Sequence, residues 1–520
     1  MSEEGVQKHA VAVIDIGTSA IRMVIAEVGP KTEVRYLELL QKSVRFGKDV
    51  FKTGRISNPV MREAINILKN FKSVIDTYGI KKVQAIATSA VREAQNRDNF
   101  VDQVYVRTGI EVELLEGTEE NRLELIAVEH ALEGKVDLQK KNCLIVEVGS
   151  GSTEMIILNQ GQVTITRTLP IGSIRLPEQI DSNKTDSALV QRVLKRSIRE
   201  IAQIAAREVQ MDQIDTFIAL GGDMRFVSQQ LLPETKERFT VLLKKDFVSF
   251  VNRIGKMTPE EIASEYSMDY AQAEALYPAL LFYFHFLAET KAEQIIVPMA
   301  SIRDGLLLEL AQILSGYKKT DFSRQVLNSA QHLGAKYMFD KSHAVCVASL
   351  AVKLFDQLKQ DHGMGSRERV LLEVSGLLHD IGTYISPSGH HKHSQYLIDA
   401  AEIFGLRQVD KNIVSNVARY HRRIPPRESH VAYMSLPKLE RAIVSKLASI
   451  LRVADALDAG HQQKIKALKL ERSDNSYTLW VSKEIGDVSI ERESLRAKGD
   501  MFVDVFGAPM ELKQGDIPAA

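Results

Sequence analysis

The sequence predicts an α/β protein whose first half is a duplicated, two-lobed unit, followed by an all-α domain and a small β-rich module. Two similar strand, turn, strand segments occur at residues 11–25 and 144–157. The apolar pattern becomes continuously helical after about residue 323, and strand-like alternation returns after residue 464. We therefore expect four parts, at residues 10–136, 137–314, 322–460 and 461–520.

In the first lobe, strand and helix patterns alternate. The predicted elements are strands within 31–47 and 82–90, a helix at 59–79 and a helix at 119–134 that ends at Gly134. The second lobe adds strands at 163–172 and 216–223 and a helix at 182–205. The helical domain then runs from 323 to 459, and the last module has strands at 466–473, 477–484 and 502–513.

The balance of charges argues against one class of protein, the dedicated nucleic-acid binders. Lys plus Arg and Asp plus Glu both number 67, so the chain carries no net charge, whereas a dedicated nucleic-acid binder is basic. We therefore expect no sequence-specific nucleic-acid partner, and expect any polyanion to bind in a local basic groove.

Location follows from cysteine usage and hydropathy. The two cysteines lie in apolar contexts without metal-ligand spacing, which favours a reducing cytoplasm. No apolar run reaches the ~18 residues of a membrane span. The N-terminus lacks the pattern of a signal peptide, and residues 1–9 are expected to form a loose tail.

The first turn carries candidate chemistry. Gly17 allows the backbone to approach a ligand closely, and the amides and hydroxyls of Thr18 and Ser19 can point at phosphate oxygens. Asp15 ends the preceding strand as an acceptor for a metal ion or its water. One such turn could belong to any β-rich core.

The second turn repeats this plan. Glu147 takes the place of Asp15, and Gly149 takes the place of Gly17. The following small or hydroxyl-bearing residues are Ser150, Gly151 and Ser152. As a pair, the turns predict two phosphate loops facing one cleft.

Seven motifs, in order, resemble those of the exopolyphosphatase/guanosine pentaphosphate phosphohydrolase family, within the actin/sugar-kinase/Hsp70 superfamily. They lie at residues 14–25, 44–47, 87–96, 114–123, 146–154, 169–176 and 299–307. The resemblance implies duplicated actin-like (ribonuclease H-like) lobes. It also implies release of terminal phosphate from polyphosphate or guanosine pentaphosphate in the cleft between the lobes, with Mg²⁺ and in a homodimer.

The resemblance assigns roles in the cleft. Glu120, in the family's acidic motif, is expected to be the general base, and Asp15 and Glu147 are expected to hold Mg²⁺. Acidic residues such as Glu119 and Glu120 also favour a helix N-terminus without any catalytic role. The family carries Asp at the position of Glu147, so the carboxylate here is displaced by about 1.5 Å.

Four arginines in these motifs are candidate phosphate ligands, because guanidinium groups bind phosphate in a bidentate manner. They are Arg22, Arg45, Arg92 and Arg175. Arg92 is the leading candidate, since it follows a predicted strand-to-helix junction where amides can also face an anion. Any of the four could instead be a solvated surface residue.

Two further departures bear on activity. The first loop reads Gly17-Thr18-Ser19-Ala20, where the family has Gly-Ser-Asn-Ser, and Asp223 stands where related folds have a small hydroxyl residue. These departures make ATP-dependent kinase activity less expected than hydrolysis or binding.

The helical domain carries a metal-binding pattern. Side chains with ligating groups end or interrupt its apolar helices, in an order that resembles the HD phosphohydrolase superfamily: His343, His379, Asp380, His393, His421 and Asp455. The resemblance implies one or two divalent metals (Mn²⁺, Fe²⁺ or Mg²⁺), with His393 serving a second metal.

Other polar residues of the helical domain are left open. His390 and His391 are expected at the surface or behind the ligands. Tyr420, Arg422 and Arg423 could face a phosphate or form a solvated helix end.

Two functions follow from these patterns. In the first, the cleft between the lobes hydrolyses a terminal phosphoanhydride. In the alternative, the first half binds polyphosphate or a nucleotide as a sensor, and the helical domain is the active metal-dependent phosphohydrolase.

Overall fold

The structure, a computed structural model of the chain, describes residues 8–29, 33–179, 187–209, 211–233, 237–314, 322–422 and 424–516. Three predicted features lie outside these residues, namely most of the N-terminal tail, the start of the 182–205 helix and Arg423. The chain forms two compact units, Met1–Asp321 (unit 1) and Phe322–Ala520 (unit 2).

The first lobe of unit 1 is a five-stranded sheet of order β3-β2-β1-β4-β5. Its strands are β1 (His9–Ile16), β2 (Ala20–Val28), β3 (Val34–Ser43), β4 (Lys82–Ala87) and β5 (Val112–Leu114). Its helices are α1 (Phe46–Thr53), α2 (Asn58–Thr77), α3 (Ser89–Glu93), α4 (Arg97–Thr108) and α5 (Gly117–Leu132).

The second lobe is a six-stranded sheet of order β10-β11-β9-β6-β7-β8. Its strands are β6 (Asn142–Val148), β7 (Thr153–Asn159), β8 (Gln162–Leu169), β9 (Thr216–Leu220), β10 (Phe239–Leu243) and β11 (Gln294–Pro298). Its helices are α6 (Arg175–Gln179), α7 (Ser187–Val209), α8 (Gly222–Leu231), α9 (Lys244–Ile254), α10 (Pro259–Tyr266), α11 (Tyr270–Ala288) and α12 (Ile302–Leu314).

The two lobes repeat one topology. In each, a three-stranded antiparallel meander (β1–β3 or β6–β8) is extended by parallel strands beyond its first strand (β4 and β5, or β9 and β11). The first strands are buried runs of apolar residues, as expected for the centre of a sheet that is covered on both faces. This repeat confirms the predicted duplication.

Helices α5 and α12 tie the lobes together. Helix α5 contacts β7 and β8 of the second lobe, and α12 contacts β1 and β2 of the first. The two helices cross closely at Gly305, where an added Cβ would lie only 2.2 Å from the carbonyl oxygen of Leu123. The N-terminus of α5, with its acidic residues, is thereby held in the cleft between the sheets.

Unit 2 combines helices with a three-stranded sheet of order β12-β13-β14. The helices are α13 (Ser323–Lys336), α14 (Lys341–Gln357), α15 (Lys359–His362), α16 (Ser366–Leu378), α17 (His390–Ala400), α18 (Gln408–Arg419), α19 (Val431–Met434), α20 (Lys438–Ala456), α21 (Ser489–Lys498) and α22 (Asp500–Phe506). The strands are β12 (Lys469–Arg472), β13 (Tyr477–Ser482) and β14 (Met510–Gly515).

The C-terminal part shares its core with the helical part. Buried side chains of the sheet, such as Leu479, belong to the same hydrophobic cluster as those of α20, such as Leu451. This part differs from the predicted β-rich module, because it also contains α21 and because the first part of 502–513 is helical (α22) and only its end is a strand (β14). The ring of Phe502 packs edge-on against Tyr477 at 5.3 Å, and this tertiary contact outweighs the strand-like alternation.

In the described part of the chain, none of the helices combines the length and the apolar character that crossing a membrane requires.

Candidate functional site

The two predicted turns meet in the cleft of unit 1. Ser150 Oγ lies 3.2 Å from Ser19 Oγ, and Thr18 Oγ1 lies 3.0 Å from the hydroxyl of Ser89 at the start of α3. Gly151 fits between them only because it lacks a side chain, since an added Cβ would lie 2.5 Å from Ser89 Oγ and 2.9 Å from Thr18 Oγ1. Sequence-distant hydroxyls and amides are thus gathered in one place.

Asp15 is buried at the end of β1 and is paired with arginines. Its Oδ2 accepts a hydrogen bond of 3.0 Å from Arg303 of α12 and lies 3.8 Å from the Nη1 atom of Arg22. Arg22 sits opposite Asp15 in the β1–β2 register and also donates to Gln41. The structure therefore brings the predicted Asp15 and Arg22 together and adds Arg303.

Glu120 and Arg92 form the central ion pair. The Arg92 guanidinium donates to Glu120 Oε1 and to the backbone carbonyl of Leu115. Burial raises the pKa of Glu120, and the charge of Arg92 only partly opposes that shift. A carboxyl group with a raised pKa is suited to proton transfer near neutral pH.

Two more carboxyl groups lie beside Glu147. Glu124 follows Glu120 by one turn of α5, and Glu154 faces Glu147 across the β6–β7 hairpin. Burial, followed by the neighbouring carboxylates, raises the pKa of Glu124 and of Glu154 well above the usual value. Glu147 is the neighbouring carboxylate that contributes most to the rise in the pKa of Glu124.

These carboxyl groups suit a cation. One oxygen each of Glu124, Glu147 and Glu154 is buried without a hydrogen-bond partner among the described residues. Unpaired buried carboxylates are costly, and a divalent ion with oxygen ligands would offset that cost. However, no three potential ligands in the described part of unit 1 converge within 4.8 Å of one another.

Asp223 is a further titratable group of the cleft. Burial raises its pKa to about 7, against the opposing effects of Arg225 and Arg22. Arg225 donates to the carbonyl of Ala300 at 2.7 Å, and its charge opposes the rise that burial causes in the pKa of Glu147. Arginines and carboxyl groups therefore alternate around the cleft, an arrangement that can hold both a phosphate and its counter-ion.

Two predicted phosphate ligands, Arg175 and Arg45, are not paired with the carboxyl groups of the cleft. Arg175 binds the carbonyl of Gly151 at 3.0 Å, pairs with Glu93 and stacks over Phe51, so it supports the second turn from behind. Arg45 precedes α1 as an exposed residue. Among the four predicted arginines, Arg22 and Arg92 are the ones paired with the carboxyl groups of the cleft.

In unit 2, three predicted residues form a first group of potential metal ligands: His343, His379 and Asp380. Asp455 lies beside them, with its Oδ1 atom 3.6 Å from His343 Nε2 and 3.9 Å from His379 Nε2. The helices that carry these residues (α14, α16 and α20) pack against one another, which brings distant parts of the sequence together.

A second group shares Asp380. His390 Nε2 and His421 Nε2 lie 3.0 and 3.4 Å from Asp380 Oδ1. The second group contains His390 and not His393, which belongs to neither group, so the role of His393 as a second-metal ligand stays a prediction. His390 begins α17. Its Nδ1 atom contacts the carbonyl oxygen of Pro387, and its Nε2 atom faces Asp380.

Each of the four histidines is anchored through Nδ1. His379, His390 and His421 each contact the carbonyl three residues earlier, at 2.8, 3.1 and 2.6 Å, and His343 contacts Asp458 at 2.8 Å. Such contacts place a proton on Nδ1, so that each ring, when neutral, offers the lone pair of Nε2 to a ligand, as in metal-binding histidines. All four Nε2 atoms face the carboxylates of Asp380 and Asp455.

The same residues carry perturbed pKa values. Burial alone would raise the pKa of Asp380, but the surrounding histidines hold it well below its usual range. Burial lowers the pKa of His421 to about 3, whereas at His343 burial is outweighed by Asp455 and Asp458, which raise its pKa to about 9. Nε2 of His343, Nε2 of His379 and Oδ1 of Asp380 are buried without a hydrogen-bond partner in the described chain, which fits a bound divalent metal.

The residues left open around this centre differ in their positions. Tyr420 is buried and bonds His430 at 2.8 Å, so it does not form a solvated helix end. Arg422 lies at the second group, with Nη1 3.4 Å from His390 Nε2.

Two family profiles match the chain. The profile of the Ppx/GppA phosphatase family matches residues 24–313, more than half of the sequence, and that of Ppx/GppA phosphatase domain III matches residues 326–495. The chain belongs to the Ppx/GppA phosphatase family. The second match is to this family's own third domain and not to the HD superfamily, so the HD resemblance stays a prediction.

Known proteins similar to this Ppx/GppA phosphatase support the assignment. A guanosine-5'-triphosphate,3'-diphosphate pyrophosphatase of Photobacterium profundum is 23% identical over 456 residues, 85% of this chain and 84% of its own. The crystal structure of an exopolyphosphatase from Cytophaga hutchinsonii ATCC 33406 has a TM-score of 0.54 at 22% identity, covering 60% of this chain and 100% of its own.

The Ppx/GppA family member from Aquifex aeolicus has a TM-score of 0.50 at 22% identity and covers 60% of this chain and 99% of its own. At 22% identity, these two structures support only the fold of this Ppx/GppA phosphatase and assign no role to its residues.

Sequence reasoning missed several residues of these sites: Glu124, Glu154, Arg225, Arg303, Asp458 and Lys498. Two of them had a detectable signal, since Glu124 is one helical turn from Glu120 and Glu154 is opposite Glu147 in a predicted hairpin. Arg303 lies within the 299–307 motif, which by itself gives it no role. Arg225, Asp458 and Lys498 reach their sites through tertiary packing.

Proposed function

We propose that this Ppx/GppA phosphatase releases terminal phosphate from inorganic polyphosphate or guanosine pentaphosphate in the cleft of unit 1. The observation that carries the proposal is the buried Glu120, with its raised pKa, paired with Arg92 next to two hydroxyl-rich turns. Both substrates end in phosphoanhydrides, and the names of the related proteins refer to such compounds.

In this proposal, Glu120 accepts a proton from the attacking water. Arg92 holds that carboxyl group in place and keeps part of its charge available for a phosphate oxygen. The backbone and hydroxyls of the turns at Gly17–Ser19 and Gly149–Ser152 orient the terminal phosphate. Arg22 and Arg303 balance the negative charge beside Asp15.

Asp15 and Glu147 would hold a Mg²⁺ ion, and the unpartnered oxygens of Glu124 and Glu154 make them additional candidate ligands. When bound, the ion would neutralise charge that develops on the phosphoryl group. Glu147 reaches the cleft from the end of β6, where it lies opposite Glu154 across the hairpin.

A second candidate function is favoured by the completeness of the histidine and aspartate groups in unit 2. Four anchored histidines and two aspartates are what a one- or two-metal hydrolase needs. In this alternative, the HD-type centre hydrolyses the phosphate ester or anhydride, and unit 1 senses polyphosphate or a nucleotide.

We also propose, from the family resemblance, that the protein is cytoplasmic and forms a homodimer.

One comparison separates the two candidates. We expect Glu120→Gln to abolish phosphate release from polyphosphate and guanosine pentaphosphate while substrate binding persists, because the amide keeps the shape of the side chain and removes the base. Asp380→Ala should leave that release in place. Glu129→Gln, on the same helix, is the matched control and should retain activity.

The opposite result favours the second candidate. If Asp380→Ala abolishes release and Glu120→Gln does not, the HD-type centre is the enzyme. If Glu120→Gln turns over substrate at the parental rate, the assignment of Glu120 as the base is wrong.

A further inference from the structure

Lys498, from the C-terminal part of unit 2, lies at the histidine and aspartate centre. Its Nζ atom donates to Asp455 Oδ2 at 2.5 Å, although 43 residues separate the two in the sequence. The other oxygen of Asp455 faces His343 and His379. One carboxylate is therefore shared between the proposed metal position and an ammonium group.

The backbone at Lys498 is fixed by a buried arginine. Arg452, which is 2% exposed and three residues before Asp455 on α20, donates to the carbonyl of Lys498 at 3.0 Å and to Asp500 at 2.5 Å. Burying an arginine is expensive, so this anchor marks a specific placement of the end of α21. A surface ion pair formed by chance would lack such a support.

The side chain of Lys498 remains within reach of a ligand. About a quarter of it (24%) is exposed, whereas Asp455 is nearly buried. The flexible stem of a lysine allows its ammonium group to leave one acceptor for another. A divalent ion bound at this centre would offset the charge of Asp455 and weaken its attraction for Lys498, and the ammonium group would then be free to bind an anion.

A second cation lies at the second group of ligands. Arg422 approaches His390 of the second group to 3.4 Å, as described above. Lys498 and Arg422 therefore place one cation beside each group of ligands. A bound metal would add further positive charge, and this combined positive charge favours an anionic ligand over a bare metal site.

We propose that Lys498 is a phosphate-binding residue of the unit 2 centre, released from Asp455 by metal and then in contact with a phosphoryl oxygen of the substrate. This inference rests on the metal centre of the second candidate function. It assigns to the C-terminal part of the chain a role in ligand recognition as well as in packing.

The test uses the full chain, Mn²⁺ and inorganic phosphate. Binding of Mn²⁺, and then of phosphate to the Mn²⁺-loaded protein, is measured by calorimetry for the parent, Lys498→Met, Lys498→Arg and Arg496→Met. Arg496 is the matched control, because it is an exposed cation on the same helix paired only loosely with Glu493 at 3.5 Å. The component lost in Asp380→Ala defines binding at this centre, as distinct from the cleft.

Lys498→Met should weaken that phosphate component about tenfold, as expected for one charge-assisted hydrogen bond. Its affinity for Mn²⁺ should stay the same or increase, since a neighbouring positive charge is removed. Lys498→Arg should restore phosphate binding, and Arg496→Met should behave like the parent. Retained Mn²⁺ binding shows that the variant is folded, and Lys498→Gln provides a second neutral variant.

Two results would overturn the inference. In the first, the phosphate affinity of Lys498→Met and Lys498→Gln equals that of the parent. In the second, Mn²⁺ affinity falls together with phosphate affinity, which would make Lys498 a clamp for Asp455. A parent that binds no Mn²⁺ at this centre would instead reject the metal site itself.

Discussion

At the scale of single residues, buried charge dominates the cleft of unit 1. Glu120, Glu124, Glu147 and Glu154 all have raised pKa values, because burial and mutual repulsion disfavour their ionised forms. Such shifts cluster at functional sites because proton transfer needs groups that titrate near the working pH. Arg92 sets how far the pKa of Glu120 rises.

The pH dependence of phosphate release should reflect Glu120. A general base must be ionised, so activity falls as the pH drops through its raised pKa, and the acid limb of the kcat/KM profile should lie above the usual glutamate range. Arg92→Met removes a charge that lowers this pKa and should move the acid limb to higher pH. The profiles are measured by phosphate release across the pH range.

The exposed Arg107→Met, at the end of α4, serves as the control and should keep the parental profile. If the acid limb does not move in Arg92→Met, the group that titrates in this limb is not Glu120.

The sequence could predict residues that a local pattern marks. Asp15, Glu147 and the small residues after them stand at corresponding places of two hairpins, and the structure brings those turns together. Arg303, inside the 299–307 motif, and Lys498, outside the motifs, carry no local feature that identifies their partners, which lie 288 and 43 residues away. Nothing in the HHKH run tells which ring faces inward before the start of α17 is known, so the sequence cannot separate His390 from His393.

At the scale of elements, close helix crossings set the positions of the sites. Helices α14 and α16 touch at Gly376, where an added Cβ would lie 2.7 Å from the Cα atom of Ala348. His379 follows at the end of α16, and His343 lies in the first turn of α14. The long amphipathic helix α2 is predictable from its period, whereas α22, at seven residues, is too short to be distinguished from a strand.

Gly376→Ala should disturb the metal centre through the backbone. The new methyl group cannot be accommodated by rotating a side chain, so α14 and α16 must separate, at a cost of about 1–3 kcal/mol in the free energy of unfolding. Displaced histidines should also lower Mn²⁺ affinity. Chemical denaturation and calorimetry measure the two effects.

Gly365→Ala is the matched control for this crossing. It lies just before α16, has a negative φ, and its added Cβ would meet nothing closer than 3.6 Å. Its Mn²⁺ affinity should equal that of the parent. Equal affinity in Gly376→Ala as well would mean that this crossing does not position the ligands.

At the scale of the whole molecule, the chain divides its ionisable chemistry between two compact units. Unit 1 combines carboxyl groups with arginines, and unit 2 combines histidines with aspartates. The first set suits a hard, weakly held ion that comes with a phosphate substrate, and the second suits a tightly held transition metal. We therefore expect the two units to respond differently to metals.

Protein purified without chelator should contain about one or two equivalents of transition metal per chain, bound in unit 2. Added Mn²⁺ should stabilise that unit by about 2.7 kcal/mol at a hundredfold excess over its Kd.

The single tryptophan of the chain, Trp480, lies in β13, so its fluorescence reports the unfolding of unit 2 alone. Asp380→Ala should lose the metal in elemental analysis and the Mn²⁺-dependent rise of the Trp480 melting midpoint. If the purified parent contains no metal, and if Mn²⁺ and Fe²⁺ do not raise its Trp480 melting midpoint, the histidines and aspartates of unit 2 do not form a metal centre.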